Sequence, residues 1–486
     1  MNENNNNRER SSKMKRDSSG DFNQKSARMA KIEQGSSDYF LAGRSVGSLQ
    51  NAFALAGDYL SAAAFLGSIA MYFSQGMDSL FYAVATLIGW TLLLILFSEK
   101  LRATAAYTFS DVINQSFNSA RLRVLSAVTS ILISLFYLLV QLMGAGALLS
   151  LLFDLNYTIS LVCIGLLTGG LVLLGGMKAT TLVQSIKALL LFVFAGTMAF
   201  LALKEFQFSP THLFLRVASL SSFEALMPSS AISSGIEQIS LIMGLVLGLL
   251  GLPHVLMRFF TVKDSRTALY SAAGTTLLIA LFFILNLIIG FSAYVLLNGE
   301  TLAGGNNMAL LHLASLLGGS GFKWILAILV FITVLAVIAG LVMAASASLT
   351  RDIIPIIWPQ KQESLLVARL SVVAIFLVGM ILAYLFQGMN LAFLFGIAFA
   401  WVASAHFPVM FCRFYLPGFS EKGAFYGLLV GAIGSLLFIV SSNTVWVKIL
   451  GLTSLHPYSS PTLFILPLSF IVILLFRERK VGKREA

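Results

Sequence analysis

An acidic residue lies inside a long apolar stretch early in the chain. Asp58 stands within the apolar run of residues 48–75. A carboxylate at that depth of a membrane helix costs about 3 kcal/mol or more unless it is paired, hydrated or protonated, and it usually marks an ion or substrate pathway. Gly57 adjoins it, and Ser61 lies three residues on, close to the same helix face. The pattern favours a functional site, although a buried acid satisfied by hydrogen bonds would have the same sequence.

A second apolar stretch contains residues that weaken a helix. Gly244, Gly248, Gly251 and Pro253 fall within ten residues of one another. A broken membrane helix exposes backbone carbonyls that can coordinate a cation and a positive helix end that can hold an anion. Close packing between helices would explain the glycines equally well. Two broken helices at matching positions of two halves would indicate a transporter site.

Other polar side chains in apolar stretches are candidates for the same site. Tyr137 and Gln141 are four residues apart and share a helix face, so they are expected to line a cavity or to hydrogen-bond between helices. Thr333, Ser346 and Ser348 carry hydroxyls that suit a cation. Such hydroxyls also bond to their own helix backbone, so both interpretations stay open.

The sequence contains no pattern that indicates an enzyme or a cofactor. The five histidines lack metal-ligand spacing, and the two cysteines lie in apolar runs. No phosphate-binding loop of the GxxxxGK[ST] type occurs, so an ATP-driven pump is not indicated. No nucleophile and base are placed for covalent catalysis. The sequence therefore predicts no catalytic residue, no cofactor and no resident metal except a coupling ion.

The composition shows which elements position these residues. The chain has 486 residues, of which 58% are hydrophobic and 11% charged. Soluble domains have about 25% charged residues, so this chain cannot cover a water-facing surface. A soluble enzyme and a nucleic-acid-binding module are excluded. Because a helix needs about 20 apolar residues to cross a bilayer, we predict an all-α, polytopic membrane protein.

Twelve apolar stretches are long enough to span a membrane, and they are numbered here as spans 1–12. They cover residues 48–75, 78–98, 122–153, 157–176, 181–204, 233–253, 268–298, 322–350, 365–388, 390–415, 422–442 and 459–476. The transmembrane domain would extend over residues 38–476, between a disordered polar tail (1–37) and a short tail (477–486). Its predicted parts are a first repeat at 48–204, a second repeat at 233–415 and extra helices at 422–476.

The basic residues predict the orientation in the membrane. With an inside N-terminus and twelve spans, 28 of the 32 Lys and Arg residues fall on the inner side. Membrane proteins concentrate basic residues in their cytoplasmic loops, so both termini are predicted to be cytoplasmic. We expect an integral protein of the plasma membrane, or bacterial inner membrane. Membrane lipid is an expected partner, whereas no nucleic acid and no obligate protein partner is predicted.

Five strings resemble the sodium:solute symporter family, and within it the cation/acetate symporter (acetate permease) branch. They are residues 37–44 (SDYFLAGR), 56–62 (AGDYLSA), 107–111 (YTFSD), 175–179 (GGMKA) followed by Gln184, and 251–264 (GLPHVLMRFFTVKD). The resemblance covers about residues 37–476. It implies the leucine-transporter fold, with a 5+5 inverted repeat, and cation-driven uptake of a small solute by alternating access.

The resemblance also implies site residues. Backbone oxygens of Ala56 and Tyr59, with groups of span 8, would bind sodium, and Asp58 would assist binding or coupling. The substrate, a short monocarboxylate such as acetate, would lie near a second group of residues. These are Ser61, Phe65, Gln141, Gly248 and Gly251.

Two features depart from the family pattern. Members usually have an additional helix before span 1, where this chain has a polar tail. The paired cation-binding hydroxyls of span 8 fall on Ala336 and Val337, and the preceding carbonyl position falls on Thr333. Thr333 would then serve in their place, or protons would drive transport with Asp58 as the titrating group.

Three other functions remain open at this stage. A sodium-coupled symporter for another small solute, such as proline, pantothenate, a sugar or urea, would have a similar sequence. A membrane sensor that uses a transporter fold is less favoured, because only about ten residues follow span 12. A passive channel would also fit the hydropathy, since hydropathy reports spans and not the direction of transport.

Overall fold

The computed structural model describes most of the predicted transmembrane domain. Within the described residues the chain is helical without a β-strand, and its two isolated β-bridges join Val46 to Val262 and Ser442 to His456. The all-helical prediction is confirmed, whereas the predicted disordered tail of 1–37 lies outside the described residues. The described ranges are residues 38–221, 224–227, 235–298, 302, 305–358, 364–387, 391–442 and 455–478.

Seventeen α-helices lie in these ranges, and they are numbered here in chain order. They are α1 (Ser48–Tyr59), α2 (Ala62–Gln75), α3 (Ser79–Leu96), α4 (Ser98–Ala103), α5 (Phe109–Asn114), α6 (Ala120–Phe153), α7 (Tyr157–Lys204), α8 (Pro210–Ser221), α9 (Gly235–Gly248), α10 (Pro253–Phe260), α11 (Ser265–Leu296), α12 (Ala309–Ser348), α13 (Ile354–Ile357), α14 (Leu365–Leu385), α15 (Leu391–Tyr415), α16 (Glu421–Val440) and α17 (Thr462–Leu475).

The helices accommodate the twelve predicted spans. Nine helical runs of the described residues are long and apolar enough to cross a membrane, and Thr462–Leu475 is a shorter apolar helix. Two of the nine runs each contain parts of two spans. Ala64–Leu96 crosses a turn at Gly76–Asp78 between spans 1 and 2, and Tyr157–Lys204 bends at Gly176 between spans 4 and 5.

Span 1 is broken beside the acidic residue that the sequence singles out. Helix α1 ends at Tyr59, and Leu60 and Ser61 have the non-helical angles φ −71°, ψ 71° and φ −84°, ψ 171°. The Ser61 hydroxyl accepts a hydrogen bond from the backbone N–H of Ala64 at 3.2 Å and so caps α2. Serine is a preferred residue at a helix start, which explains why the second half begins here.

Span 6 is broken at its glycines and proline. Helix α9 ends at Gly248, residues Leu249–Gly251 form one 3₁₀ turn, and Leu252 is extended at φ −66°, ψ 118°. Pro253 starts α10, where its fixed φ and missing N–H cost nothing. Because a residue before proline avoids helical angles, the break falls at Leu252. Spans 1 and 6 are thus interrupted at matching positions of two five-span halves.

The kink between spans 4 and 5 requires a glycine. Gly176 has φ +54°, and a Cβ added there would lie 2.7 Å from the Tyr39 ring and 2.8 Å from the Tyr39 carbonyl oxygen. Only glycine fits such a backbone without strain. The Tyr39 hydroxyl donates to the Val172 carbonyl oxygen at 3.0 Å, so the segment before α1 is fixed to this kink.

The helices that carry the broken site pack at the centre of the bundle. Span 8, in α12, packs against spans 3 and 5, and α1 packs against spans 5 and 7. Span 8 contributes small buried residues, among them Ala336, Ala339 and Gly340, which allow the backbones to approach closely. The outward faces of the bundle carry large apolar side chains, as a lipid-facing surface does; examples are Leu174, Leu277, Leu370 and Leu475.

Candidate functional site

A buried ion pair lies at the break of span 1. Asp58, the penultimate residue of α1, is 1% exposed. Arg258 is 0% exposed and lies in α10, which extends span 6 to Phe260, beyond its predicted end at residue 253. Arg258 Nε donates to Asp58 Oδ2 at 2.5 Å, and Nη2 donates to Oδ1 at 3.2 Å. A two-pronged guanidinium–carboxylate contact is among the strongest charge-assisted hydrogen bonds. The pair joins the first half of span 1 to the second half of span 6.

Span 5 supplies three more polar side chains to the pair. Gln184 Nε2 donates to Asp58 Oδ1 at 2.5 Å, and Arg258 Nη1 donates to the Thr181 hydroxyl at 2.6 Å. The Lys187 amine donates to the backbone carbonyl of Gly57, and all three span 5 residues are buried. These residues follow one another at intervals of three along α7, so they share one helix face.

Close backbone approaches hold the network between spans 1, 5 and 8. A Cβ added to Gly57 would lie 2.5 Å from the Gln184 carbonyl oxygen and 3.0 Å from its side-chain oxygen. A Cβ added to Gly340 of span 8 would lie 3.1 Å from Asp58 Oδ1. Both glycines are therefore needed where they stand, because a methyl group would push the network apart.

We expect the substitution Gly57→Ala to disable the network. Its Cβ meets a backbone carbonyl that cannot rotate away, and such overpacking costs about 1–3 kcal/mol. Initial solute uptake by reconstituted protein should fall about tenfold. Gly47→Ala is the matched control, since an added Cβ meets nothing within 4 Å there. Equal uptake by the two variants would contradict the close approach.

A large cavity lies directly beyond the break. Its volume is about 1000 Å³, and it is lined by residues of spans 1–4, 6–10 and 12. Tyr59, the residue after Asp58, lines it and donates its hydroxyl to Thr86 at 3.0 Å. Gln141 of span 3 also faces the cavity. Asp58 and Arg258 do not belong to the lining, although Asp58 is the residue before Tyr59. Further lining residues are Ser68, Tyr72, Glu237, Phe283 and Phe395.

Basic side chains bind backbone carbonyls where the segments that flank spans 1, 2 and 6 meet, and this region is called the charged end here. Arg44 donates to the Ala105 carbonyl oxygen at 2.6 Å. Arg102 donates to the carbonyl oxygens of Val262 and Lys263 at 2.6 and 2.8 Å. Burial, and then the neighbouring charge of Arg44, lower the pKa of Arg102 from its usual value. These contacts fix the segments that flank spans 1, 2 and 6 to one another.

Arg123 adds a second contact at the charged end. Its Nη1 lies 3.1 Å from Asp111 Oδ1 and 3.2 Å from Asp352 Oδ1, and so it joins α5 to the end of span 8. Arg123 is partly exposed, whereas Asp352 is fully buried. Asp111 also accepts a hydrogen bond from the Tyr107 backbone N–H at 3.1 Å. Arg123 thus links a carboxylate of α5 to a carboxylate at the end of span 8.

The substitution Arg123→Gln should make the charged end open more readily. Because the arginine is partly exposed, we expect a loss of only about 1 kcal/mol in the closed form. Hydrogen exchange of the Phe109–Asn114 helix should become about fivefold faster. Arg121→Gln is the control, since Arg121 is exposed on the same helix. Unchanged exchange in Arg123→Gln would show that this contact does not hold the end closed.

The four backbone and side-chain groups predicted for cation binding already have hydrogen-bond partners. The Ala56 carbonyl accepts from the Leu60 N–H at 2.8 Å, and the Tyr59 carbonyl accepts from the Ser61 N–H at 2.7 Å. The Thr333 hydroxyl donates to the Leu329 carbonyl at 2.7 Å within its own helix. The Ala336 carbonyl accepts from Gln184 at 2.8 Å.

Of the residues predicted to bind substrate, Gln141 lines the cavity. Ser61 caps α2, and Phe65 is buried with its ring 5.2 Å from that of Phe282. A Cβ added to Gly248 would collide with the Phe399 backbone of span 10. The Gly251 carbonyl accepts a hydrogen bond from His406 Nδ1 at 2.9 Å. The structure places Gln141 on the cavity lining and Asp58 and Ser61 at the break of span 1, while both glycines contact span 10.

The sequence did not identify three residues that contact Asp58 or its neighbour. Arg258 and Gln184 entered the sequence analysis only as parts of family strings. Lys187 was counted only as an inner-side basic residue. The available signal was the recurrence of polar residues at positions 181, 184 and 187 in an apolar helix, which marks one polar face.

Comparison with known proteins places these features in a family of transporters. The family model of the sodium:solute symporter family matches residues 39–431, so the chain belongs to that family. The predicted relationship is thereby confirmed at the level of the family. Members of this family are membrane transporters and not enzymes.

Two solved structures have a similar fold. A Na⁺-coupled sialic acid symporter in a substrate-bound outward-open state superposes with a TM-score of 0.71 at 14% identity, over 90% of this chain and 92% of that one. A nucleobase-cation-symport-1 family transporter, closed with bromovinylhydantoin bound, superposes with a TM-score of 0.57 at 17% identity, over the same shares. The predicted leucine-transporter-like fold is confirmed.

Proposed function

We propose that this protein is a cation-coupled secondary active symporter that takes up acetate or another short monocarboxylate by alternating access. The observation that carries the proposal is the position of the Asp58–Arg258 pair. It lies where two broken helices meet, and Asp58 is the residue before Tyr59 of the cavity lining. Broken helices at the centre of such folds bind the solute and its coupling ion.

The charges at the break suit a monoanionic solute. Arg258 carries a buried guanidinium and Lys187 a buried amine, and Asp58 is the carboxylate that contacts the first of them. Buried charges require compensation, so an additional negative charge near the break would be stabilised. The AGDYLSA and GLPHVLMRFFTVKD strings, which resemble the acetate branch, contain Asp58 and Arg258. The site residues proposed for substrate are Ser61, Phe65, Gln141, Gly248 and Gly251.

In the proposed cycle the solute enters through the cavity and leaves through the charged end. Entry brings it to Tyr59 and Gln141, which line the cavity beside the break. The halves of spans 1 and 6 then tilt at Leu60 and Leu252, where the helices are already interrupted. The Arg123 contacts separate, and the Asp58–Arg258 pair moves with the two half-helices that it joins. Closing of the cavity accompanies opening of the other end.

The distribution of charge supports a cytoplasmic location for the charged end. Arg44, Arg102 and Arg123 all lie there, and basic residues concentrate on the cytoplasmic side of membrane proteins. In that orientation the cavity faces the outside. We infer an integral multi-pass protein of the plasma membrane, or bacterial inner membrane, with both termini cytoplasmic. The two proposed repeats are residues 48–204 and 233–415.

Gradient-driven uptake tests the proposal. Purified protein in proteoliposomes is supplied with radiolabelled acetate under an imposed inward sodium gradient, an imposed inward proton gradient, both, or neither. We expect saturable uptake that a gradient accelerates and an ionophore abolishes. Uptake that neither gradient changes would reject cation coupling.

Competition by unlabelled solutes tests the substrate class. Propionate, pyruvate, proline, pantothenate, glucose and urea are each added at 100-fold excess over labelled acetate. We expect inhibition by the short monocarboxylates alone, since the charge of the buried cluster favours a monoanion. Stronger inhibition by a neutral solute would indicate that this solute, and not acetate, is the transported substrate. No labelled solute accumulating at all would contradict the transport function.

A further inference from the structure

The family name implies sodium as the coupling ion. The oxygen atoms of spans 1 and 8 at the break would have to bind it. A hard cation is held by several oxygen ligands, mostly carbonyls, carboxylates and hydroxyls. Span 8 offers no hydroxyl at Ala336 or Val337, and the Thr333 hydroxyl is bonded within its own helix. The Ala336 carbonyl accepts from Gln184. Span 8 therefore offers backbone carbonyls at this place and lacks the two hydroxyls that the family resemblance leads one to expect at positions 336 and 337.

A side chain of span 5 brings a cationic group to the same break. Lys187 is fully buried, and its amine donates to the backbone carbonyl of Gly57, the residue before Asp58. That carbonyl belongs to the last turn of α1, where a broken helix offers oxygen atoms to a cation. The lysine thus makes the kind of contact to span 1 that a bound alkali ion would make.

The surrounding charges strengthen this assignment. Asp58 lies next to Gly57 and is paired with Arg258. A sodium ion entering here would meet the Arg258 guanidinium and the Lys187 amine as well as the Asp58 carboxylate. Two like charges about 4 Å apart repel by several kcal/mol in a protein interior. A second cation is therefore disfavoured at this break.

We propose that Lys187 is a built-in cation that takes the place of sodium at the break of span 1, so that sodium is not required for transport. The inference deepens the proposed symport function and rests on it. Lys187 holds α1 to span 5 through Gly57, while Gln184 and Thr181 hold Asp58 and Arg258 from the same helix face. Lys187 is a positioning residue for the break and determines which ion the protein uses.

The wild-type protein gives the first test. Solute uptake in proteoliposomes is measured at fixed pH in sodium chloride and in N-methylglucamine chloride of equal concentration. We expect rates that agree within about twofold. Uptake that falls tenfold or more without sodium would overturn the inference and leave symport itself intact. This arm needs no variant and so does not depend on the folding of one.

Chemical rescue gives the second test. Lys187→Ala removes the part of the side chain that propylammonium would replace. We expect uptake by this variant to fall about tenfold or more and to recover severalfold with propylammonium, but not with neutral 1-propanol. Lys204→Ala, an exposed lysine of the same helix, should behave as wild type in all media. Full activity of Lys187→Ala without any added amine would overturn the inference.

A binding measurement separates this inference from the transport function. The thermal unfolding midpoint of detergent-solubilised Lys187→Ala is recorded with propylammonium, 1-propanol or sodium at equal concentrations. We expect propylammonium to raise the midpoint of this variant and to leave the wild type unchanged. An equal increase in both proteins would contradict a cation site vacated by the substitution. If Lys187→Ala does not fold, Lys187→Met is assayed in its place, and its uptake is expected to fall about tenfold or more in the medium without sodium.

Discussion

Asp58→Asn is expected to lower gradient-driven uptake about 100-fold, because it leaves a buried guanidinium without its carboxylate. Removing one partner of a buried ion pair costs about 3–5 kcal/mol, most of it from the charge that remains. Asparagine retains the size of the side chain and its contact with Gln184, so the packing of α1 is preserved. The initial rate in proteoliposomes measures the effect.

An exposed acid provides the control for Asp58. Asp154 follows α6 in the left-handed conformation, with φ +53°, ψ +39°, and it is solvent-exposed. Asparagine is well tolerated in that conformation, so Asp154→Asn should transport at the wild-type rate. Normal uptake by Asp58→Asn in the same assay would reject a role of the buried acid in transport.

Arg258→Gln should have an effect of the same size for the complementary reason. The substitution removes both hydrogen bonds to Asp58 and the bond to Thr181, and it leaves a buried carboxylate facing Gln184 and the neighbouring Lys187. We expect uptake to fall about 100-fold. Arg258→Lys should recover only part of it, since lysine cannot form the two-pronged contact. Arg216→Gln, on the exposed face of α8, serves as the control.

The double variant Asp58→Asn/Arg258→Gln tests whether the two side chains stabilise the protein as a pair. With both charges gone, neither side chain is left as an unpaired buried ion. Folded protein yield and unfolding midpoint should therefore recover above those of either single variant. Uptake should stay low because the proposed coupling group is absent. Strictly additive losses in the unfolding midpoint would show that the two side chains do not act as a pair.

The architecture of this protein could be predicted from its sequence. Apolar stretches separated by charged or glycine-containing segments specify spans, because a membrane helix must satisfy its backbone internally. The break of span 1 at Leu60 and that of span 6 at Leu252 followed from Gly57, Ser61 and Pro253 nearby. Such breaks depend on residues that are close together in the sequence, so they can be predicted from a single sequence.

The partners of Asp58 could not be predicted, because they lie far away in sequence. Gln184 is 126 residues from Asp58, and Arg258 is 200 residues away. Which helix face turns toward which neighbour depends on the packing of spans 1, 5 and 6 together. The glycines of span 6 show the same limit. A glycine pattern suits packing and binding equally, and the structure places Gly248 against the Phe399 backbone.

Residues of the family strings lie at the charged end of the structure. The string that begins before α1 contacts the Gly176 kink through Tyr39, and the Arg44 side chain of the same string reaches the Ala105 carbonyl. Asp111 of another string binds Arg123, which contacts the end of span 8. These motifs therefore form the charged end and its connection to the break, rather than the lining of the cavity.

The steady-state accumulation ratio of solute tests the central claim, that the buried acid at the break couples the cation to the solute. Wild-type protein and Asp58→Asn are reconstituted at equal amounts, the same inward cation gradient is imposed, and internal and external acetate are measured once uptake has levelled off. With a cation gradient of about tenfold, the coupled wild type should concentrate acetate about tenfold inside the vesicles. Asp58→Asn should stop near equal internal and external concentrations of acetate. Accumulation by Asp58→Asn to the wild-type ratio, however slowly, would contradict the account.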